Sequence, residues 1–352
     1  MLVGAMLILF ALVVTWVGFR STEAPQGSQT RESAPSQPRN APTIAAAVRS
    51  YQNDSSRVST TTSVNPVSYH IRDERVLNYG SAEGEIGMIR ESGQTPIGPE
   101  SFTIGNDGSI LVADLVNQRV LFYASDGSFL RSLNLPGIVL NDIAIDAQGN
   151  VYVYDHTHRT LSQYDIHGTS QVVLQIQPAD IYTRGYLHVV NNSIYFADAA
   201  TRDILIGNLG NNLLTAADTS LERISDGIHG ASGRVYSVGL VKSEAFEVRT
   251  QDSTTPQAAM QLKIPCPGIV SATFVGEDAN LCFYIQTERL VEDSVVLEVC
   301  ALNAAGELLA VTRMPENDYA LWTTKLVGVA LDGGIVQFLP QTIHAKLNVF
   351  TR

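Results

Sequence analysis

Hydrophobic and polar positions alternate in short runs along most of this chain, and two of the runs repeat one another. From Ser101 the sequence reads SFTIGNDGSILVADLVNQRVLFYASDG, and from Asp142 it reads DIAIDAQGNVYVYDHTHRTLSQYDIHG. Each begins with a short apolar segment and a glycine turn, then an alternating segment (ILVAD, VYVYD), a polar turn and a third apolar-rich segment (RVLFY, TLSQY). A period of two between turn residues predicts β-strands. Gly108 maps to Gly149, Asp114 to Asp155 and Gly127 to Gly168, each 41 residues on.

Looser copies follow. YLHVVNNSIYFADAATRDILIG from Tyr186 is the third and GIHGASGRVYSVG from Gly227 the fourth. VSATFVGEDANLCFYI from Val270, continued by SVVLEVCALNAAGELL, makes a fifth, and KLVGVALDGGIVQFLPQTIHAKLNVF from Lys325 a sixth. A period near 40 with about four strands per unit predicts an all-β, six-bladed β-propeller, in which each blade buries its faces on its neighbours. The sixth unit lacks an outermost strand, and Ile71 to Tyr79 (IRDERVLNY) is placed to supply it. Closure by strands from both ends would remove the open sheet edges.

The units also resemble a known family. A Pro, an apolar-small-apolar strand, a Gly turn, an alternating strand ending in Ala-Asp and then Asn-x-Arg-Val, clearest from Pro99 to Gly127, resemble the NHL repeat of NHL-like and TolB-like six-bladed propellers. LNYGSAEGEIG (Leu77 to Gly87) is similar to the lead-in of a first NHL blade. The resemblance covers roughly residues 70–352, is strongest in two blades, weaker in the third and architectural in the rest. It implies protein, peptide or glycan partners as readily as small molecules.

The amino-terminal region departs from this pattern. Leu2 to Phe19 holds 18 positions without a charge, enough for a helix of about 27 Å, close to the thickness of a bilayer core. Residues 1–20 are therefore expected to be a transmembrane signal-anchor, or a signal peptide if cleaved. Arg20, Arg31 and Arg39 on its carboxyl side would by the positive-inside rule keep the domain in the cytoplasm. An amino-terminal apolar segment more often serves export, and the expected location is extracytoplasmic, in the cell envelope, or secreted after cleavage. Residues 21–66 are rich in Ser, Thr, Pro, Gln and Ala and are expected to form a disordered linker. Residues 67–352 are the propeller.

Charge narrows the partners. The net charge is -12, and the residues beyond Pro66 carry 18 basic against 32 acidic side chains. A nucleic-acid binder needs a basic face to displace counterions, so this surface argues against that partner. Cys266, Cys282 and Cys300 form no metal-binding pattern. A hairpin turning at Arg289 to Asp293 would set Cys282 and Cys300 nearly opposite each other, which leaves a disulfide as the alternative to buried free thiols.

Candidate chemistry lies in the inner strands, which ring the central channel of a propeller. Their starts place Glu100, Asn141, Asp142, Arg184, Asp226 and Lys325 at one channel mouth as ligand-binding candidates. Oxygen ligands in such a ring could hold calcium. Asp226-Gly227-Ile228 faintly resembles the Asp-Gly-Met segment of gluconolactonase-type hydrolases, but Ile97 stands where those enzymes place a metal-binding Glu before Gly-Pro. His188 and His229, at matching places in units three and four, suit metal ligands or buried hydrogen-bonded imidazoles, and no third His matches them. His156 and His158 belong to an outer turn. Asp114, Asp155 and Asp198 recur at strand ends, where a carboxylate accepts turn N–H groups or pairs with Arg119 or Arg202. The expectation is a non-catalytic binding or scaffolding propeller without a cofactor, against a calcium-dependent lactonase or other hydrolase as the alternative.

Overall fold

The computed structural model describes residues 68–176, 185–198, 202–211, 213–217, 224–251, 258–315, 320–321 and 323–352. The expected anchor and linker lie outside these residues, as does Arg184. Among the described residues no helix is long and apolar enough to cross a membrane.

Strand β1 (His70–Asn78) comes first among the described strands but belongs to the last blade. Blade one is β2 (Phe102–Ile104), β3 (Ile110–Asp114), β4 (Arg119–Tyr123) and β5 (Phe129–Asn134). Blade two is β6 (Asp142–Ile145), β7 (Val151–Asp155), β8 (Thr160–Tyr164) and β9 (Ser170–Gln175). Blade three is β10 (Gly185–Val190), β11 (Ser193–Asp198), β12 (Asp203–Gly210) and β13 (Leu213–Ala216), with the short β14 (Ile224–Ser225) paired to β12. Blade four is β15 (Ile228–His229), β16 (Val235–Val241), β17 (Ala245–Gln251) and β18 (Ala258–Pro265). Blade five is β19 (Ile269–Glu277), β20 (Phe283–Val291), β21 (Ser294–Leu302) and β22 (Leu308–Arg313). In the last blade β23 (Val327–Val329), β24 (Ile335–Pro340) and β25 (His344–Thr351) are completed by β1, which pairs antiparallel with β25. This is an all-β, six-bladed propeller closed by strands from both ends of the domain.

The alternation explains the packing. Middle strands such as ILVAD and VYVYD are buried on both faces, whereas the outer β9 (SQVVLQ) alternates between exposed and half-buried positions. Apolar clusters fill the spaces between blades six and one, one and two, two and three, four and five, and five and six. Between blades three and four, the described residues of blade three contribute only Ala197 and, at the edge, Tyr186 to the cluster of blades four and five. The glycine turns carry the repeat: Gly108 and Gly149 sit at φ +80° and +85°, a left-handed backbone that a side chain would strain.

The recurring acids are structural. Asp114 accepts hydrogen bonds from Gly87 N and from Arg119 Nε, both at 2.9 Å. Asn117 and Arg119 reach on to the carbonyls of Gly80, Ala82 and Glu85, so the Asn-x-Arg-Val segment fastens the lead-in to blade one. Asp155 pairs with His158 and Asp198 with Arg202. The hairpin of blade five turns between Val291 and Ser294, which sets the register three residues away from one that would face the two thiols. Cys300 therefore stands opposite Ile285 and packs toward blade four, while Cys282 packs toward blade six. Cys266, Cys282 and Cys300 are buried free thiols.

Candidate functional site

The inner strands start at one mouth of the channel, and the structure brings Glu100, Asn141 and Asp142 together there. They line a cavity with Tyr154, His156, Gly185, Phe196 and Thr324. Asp142 accepts hydrogen bonds from the Ser101 hydroxyl of blade one and from Leu187 N of blade three, which ties three consecutive blades together at the mouth. Thr324 donates through N and Oγ1 to the Glu100 carbonyl, at 2.8 and 3.0 Å, and joins the lead-in of blade six to blade one. Asn141 Oδ1 accepts from His156 N at 2.8 Å.

Asp226 and Lys325 lie elsewhere. Asp226 is exposed in the turn before β15, where its carbonyl accepts from Ser237 Oγ. Gly227 beside it has φ +137°, and a Cβ there would come within 2.7 Å of the Tyr236 carbonyl, so the turn requires glycine. Lys325 is half-buried and lines the inner channel, its Nζ 4.6 Å from the centre of the Tyr186 ring. Burial pushes Asp142 up to about 6, against the opposing pull of Lys325, Ser101 and Leu187. Burial lowers Lys325, and Asp142 partly offsets it.

The inner channel holds a group of residues centred on an acid that sequence reasoning missed. Asp203 Oδ1 lies 2.8 Å from His188 Nε2, and Asp203 Oδ2 lies 2.8 Å from His229 Nδ1 and accepts His229 N at 2.6 Å. Burial would raise Asp203, but the two imidazoles and the backbone donor outweigh it and hold the carboxyl at about 2. Tyr195 stacks on His229 with ring centres 4.3 Å apart.

Register explains the meeting of the two histidines. His188 stands opposite Tyr195 in blade three, whereas His229 stands opposite Val235, the counterpart of Ile194. The two are offset by one residue, not equivalent as the spacing suggests. Because successive side chains of a strand point to opposite faces, the offset turns His188 toward blade four and His229 back toward blade three. Asp203 reaches them across the small Ala197, which pairs with both Tyr186 and Asp203. A legible signal existed: by register Asp203 occupies the place of Val120 and Leu161, so an acid replaces a buried aliphatic residue in the repeat.

A third acid borders the same channel. Glu277 accepts from Tyr236 OH at 2.6 Å and from Ser232 N at 2.8 Å. Asp142, Asp203 and Glu277 are thus each engaged by hydrogen-bond donors of neighbouring blades. Among the described residues no group of three His, Cys, Asp or Glu side chains is placed to hold a metal ion. With Asp226 outside the mouth cavity, the described residues do not form the Glu100, Asn141 and Asp226 cage that a lactonase would need.

No protein-family model matches the chain, and no curated protein matches it in sequence. Among solved structures it is similar to hydrazine synthase of Kuenenia stuttgartiensis, at 11% identity over 71% of this chain and 80% of that chain, with a TM-score of 0.45. It is also similar to a streptogramin B lyase, at 9% identity over 79% of this chain and 97% of that one, with a TM-score of 0.43. A DUF4221 family member from Bacteroides vulgatus shows 11% identity over 82% and 98%, with a TM-score of 0.44. Likenesses this distant carry no functional argument, and the architecture rests on the strand order above.

Proposed function

We propose that this protein is a non-catalytic, NHL-like binding or scaffolding propeller, held on the extracytoplasmic side of a membrane by its amino-terminal segment. One observation supports this reading most: the channel carboxylates Asp142, Asp203 and Glu277 serve as acceptors that tie neighbouring blades together. An acid so engaged is a strut of the ring, its oxygens already accepting from donors of neighbouring blades. The mouth cavity around Glu100, Asn141 and His156 is the docking place for a protein, peptide or glycan. Its acidic surroundings disfavour nucleic acid.

The test pairs calcium binding with crosslinking on the full chain. The binding reading expects no stoichiometric calcium and a melting temperature indifferent to chelator. It also expects a photo-crosslinker at His156 to capture a partner in envelope fractions that one at Val173, on an outer strand, does not. One tightly held calcium per chain, with melting lowered by chelator, would move the assignment to the hydrolase. Equal capture from both positions would remove the mouth as the docking place.

A further inference from the structure

Blade five reaches further than blade one on the side of the channel mouth. Their middle strands leave equivalent turns, closed by Gly105 N on the Ser109 carbonyl in blade one and by Asp278 N on the Cys282 carbonyl in blade five. Counted from there, β3 and β4 pair from Ile110 with Tyr123 to Asp114 with Arg119 and then turn. β20 and β21 pair from Phe283 with Leu302 to the matching Thr287 with Glu298, and then continue for four more pairs, to Val291 with Ser294. At about 3.4 Å per residue this is about 14 Å of extra strand.

The extension has one buried face and one open face. Arg289 and Val296, on the face that Ile285 and Cys300 present to blade four, are buried, and Arg289 Nε pairs with Glu298 at 3.0 Å. On the opposite face Leu290 and Val295 stand directly across from each other, 51% and 61% exposed. The outer edge is open as well. β22 follows β21 as far as the bond from Met314 N to the Leu297 carbonyl, at 2.9 Å, and Pro315, which has no N–H, comes next. Backbone groups alternate in direction along an antiparallel strand, so Val295, two residues from Leu297, turns its N–H and carbonyl to this same edge, beyond the last residue that β22 pairs. An open sheet edge is a template for one more strand.

Charge selects the strand. Glu288 shares the open face with Leu290, and Glu292 and Asp293 form the turn. Burial raises the Glu288 carboxyl above its ordinary range. Arg289, the only basic residue from Glu288 to Leu297, is engaged with Glu298. A second copy of this chain would bring the same three acids against these. A basic segment with apolar residues complements both the charge and the Leu290–Val295 pair.

We propose that the projecting hairpin of blade five docks an extended segment of another protein, added as a strand along the open edge of β21, with an aliphatic side chain beside Val295 and lysine or arginine side chains facing Glu288, Glu292 and Asp293. This extends the binding reading to a second place, on a different blade from the mouth cavity. Failure to capture a partner at His156 would leave it standing, and failure of the test below would leave the cavity's role untouched.

The probe is a fluorescently labelled hexapeptide of alternating lysine and valine, titrated into the full chain and followed by anisotropy. Saturable binding with a Kd below about 1 mM is expected. Peptides with serine in place of valine, or glutamate in place of lysine, should bind at least about tenfold more weakly, since each lacks one of the two complementary features. Val295→Pro removes an N–H that the pairing with β20 does not use, and should weaken the lysine-valine peptide by about tenfold, while Val173→Ser on the outer strand β9 should leave it unchanged. If Val295→Pro fails to fold, Val295→Lys decides instead, because it keeps the backbone and sets a repelling charge at the edge; it should weaken the peptide as well. Equal binding of the serine peptide, or undiminished binding by the Val295 variant that folds, would overturn the proposal. A photo-crosslinker at Val295 that joins two copies of the chain in the absence of peptide would overturn it too, by giving the edge to self-association.

Discussion

The interface between blades six and one and the interface between blades three and four solve the same packing problem with opposite chemistry. At the first, Phe102 and Phe338 meet with ring centres 5.9 Å apart inside a cluster that also holds Ile86, Val112, Leu121 and Leu347. At the second, the corresponding place holds Asp203 between His188 and His229. The apolar interface draws its stability from area removed from water, which tolerates small shifts. The polar one depends on charge and alignment, because a buried acid is stable only while its donors stay in place. The stability of the ring should therefore respond to pH at one interface and not at the other.

The largest effect is expected from removing the closing strand. A chain that begins at Gly80 lacks β1, leaves the edge of β25 open and uncovers the cluster around Leu77. The expected loss exceeds about 5 kcal/mol, enough to abolish cooperative unfolding in a domain of ordinary stability. Circular dichroism in a denaturant titration measures it; a sharp, unshifted transition would show that closure contributes little.

Single substitutions at the two interfaces come next. Asp203→Ala strands two imidazole donors and should cost about 3 to 5 kcal/mol, and Phe338→Ala about the same through its cavity. The two deficits separate with pH. Asp203 is held below its ordinary value, so its stabilisation is present above about pH 4 and is lost as the pH falls toward about 2. The Asp203→Ala deficit should shrink over that window while the Phe338→Ala deficit stays constant.

Rebuilding the polar interface in the style of the others should have a smaller effect. Combining Asp203→Leu, His188→Ala and His229→Ile restores the aliphatic or small residues found at Leu161, Ala144 and Ile145. The triple variant should stand within about 2 kcal/mol of the natural chain, since well-packed apolar replacements of buried charge groups are often neutral. A loss as large as that of Asp203→Ala would show that the cluster contributes more than its packing.

Asp142→Asn should give the smallest effect and the opposite sign. Asp142 is raised to about 6, so its favourable contribution is complete below its ordinary range and is lost as the pH rises through about 6. Above that value the substitution should stabilise the domain by up to about 1 to 2 kcal/mol, and the gain should vanish toward pH 4. A loss at pH 8 would mean that the Ser101 and Leu187 bonds outweigh the cost of the buried charge.

How much of this was legible from the sequence differs between the same two interfaces. The repeat of Gly108 and Gly149 and of Asp114 and Asp155 predicted the blades, and the unpaired segment from Ile71 predicted the closing strand, because period-two alternation and left-handed turns are local properties. Placing Glu100, Asn141 and Asp142 at one mouth needed only the knowledge that inner strands start there. The contact of His188 with His229 was not legible in the same way. It depends on a one-residue register offset in blade four, and the spacing of 41 between the two residues hides that offset. Asp203 was visible as an acid in an aliphatic place of the repeat, but it falls in a unit whose match to the first two is loose. The expected near-opposition of Cys282 and Cys300 failed for a related reason: the turn lies slightly later, and the three-residue change of register sets Cys300 opposite Ile285, leaving the free thiols that were the other expectation.

The most direct test of the account is the tautomeric state of the two histidines, read from long-range nitrogen-proton NMR spectra of the full chain at pH 7. A shared, ionised Asp203 requires His188 to carry its proton on Nε2 and His229 on Nδ1. The account predicts that pair, with the Nδ1–H signature of His229 lost in Asp203→Ala. An Nε2–H tautomer at His229 in the natural chain would contradict it, because the imidazole could not then donate to Asp203 and the polar interface would have to be held together in some other way.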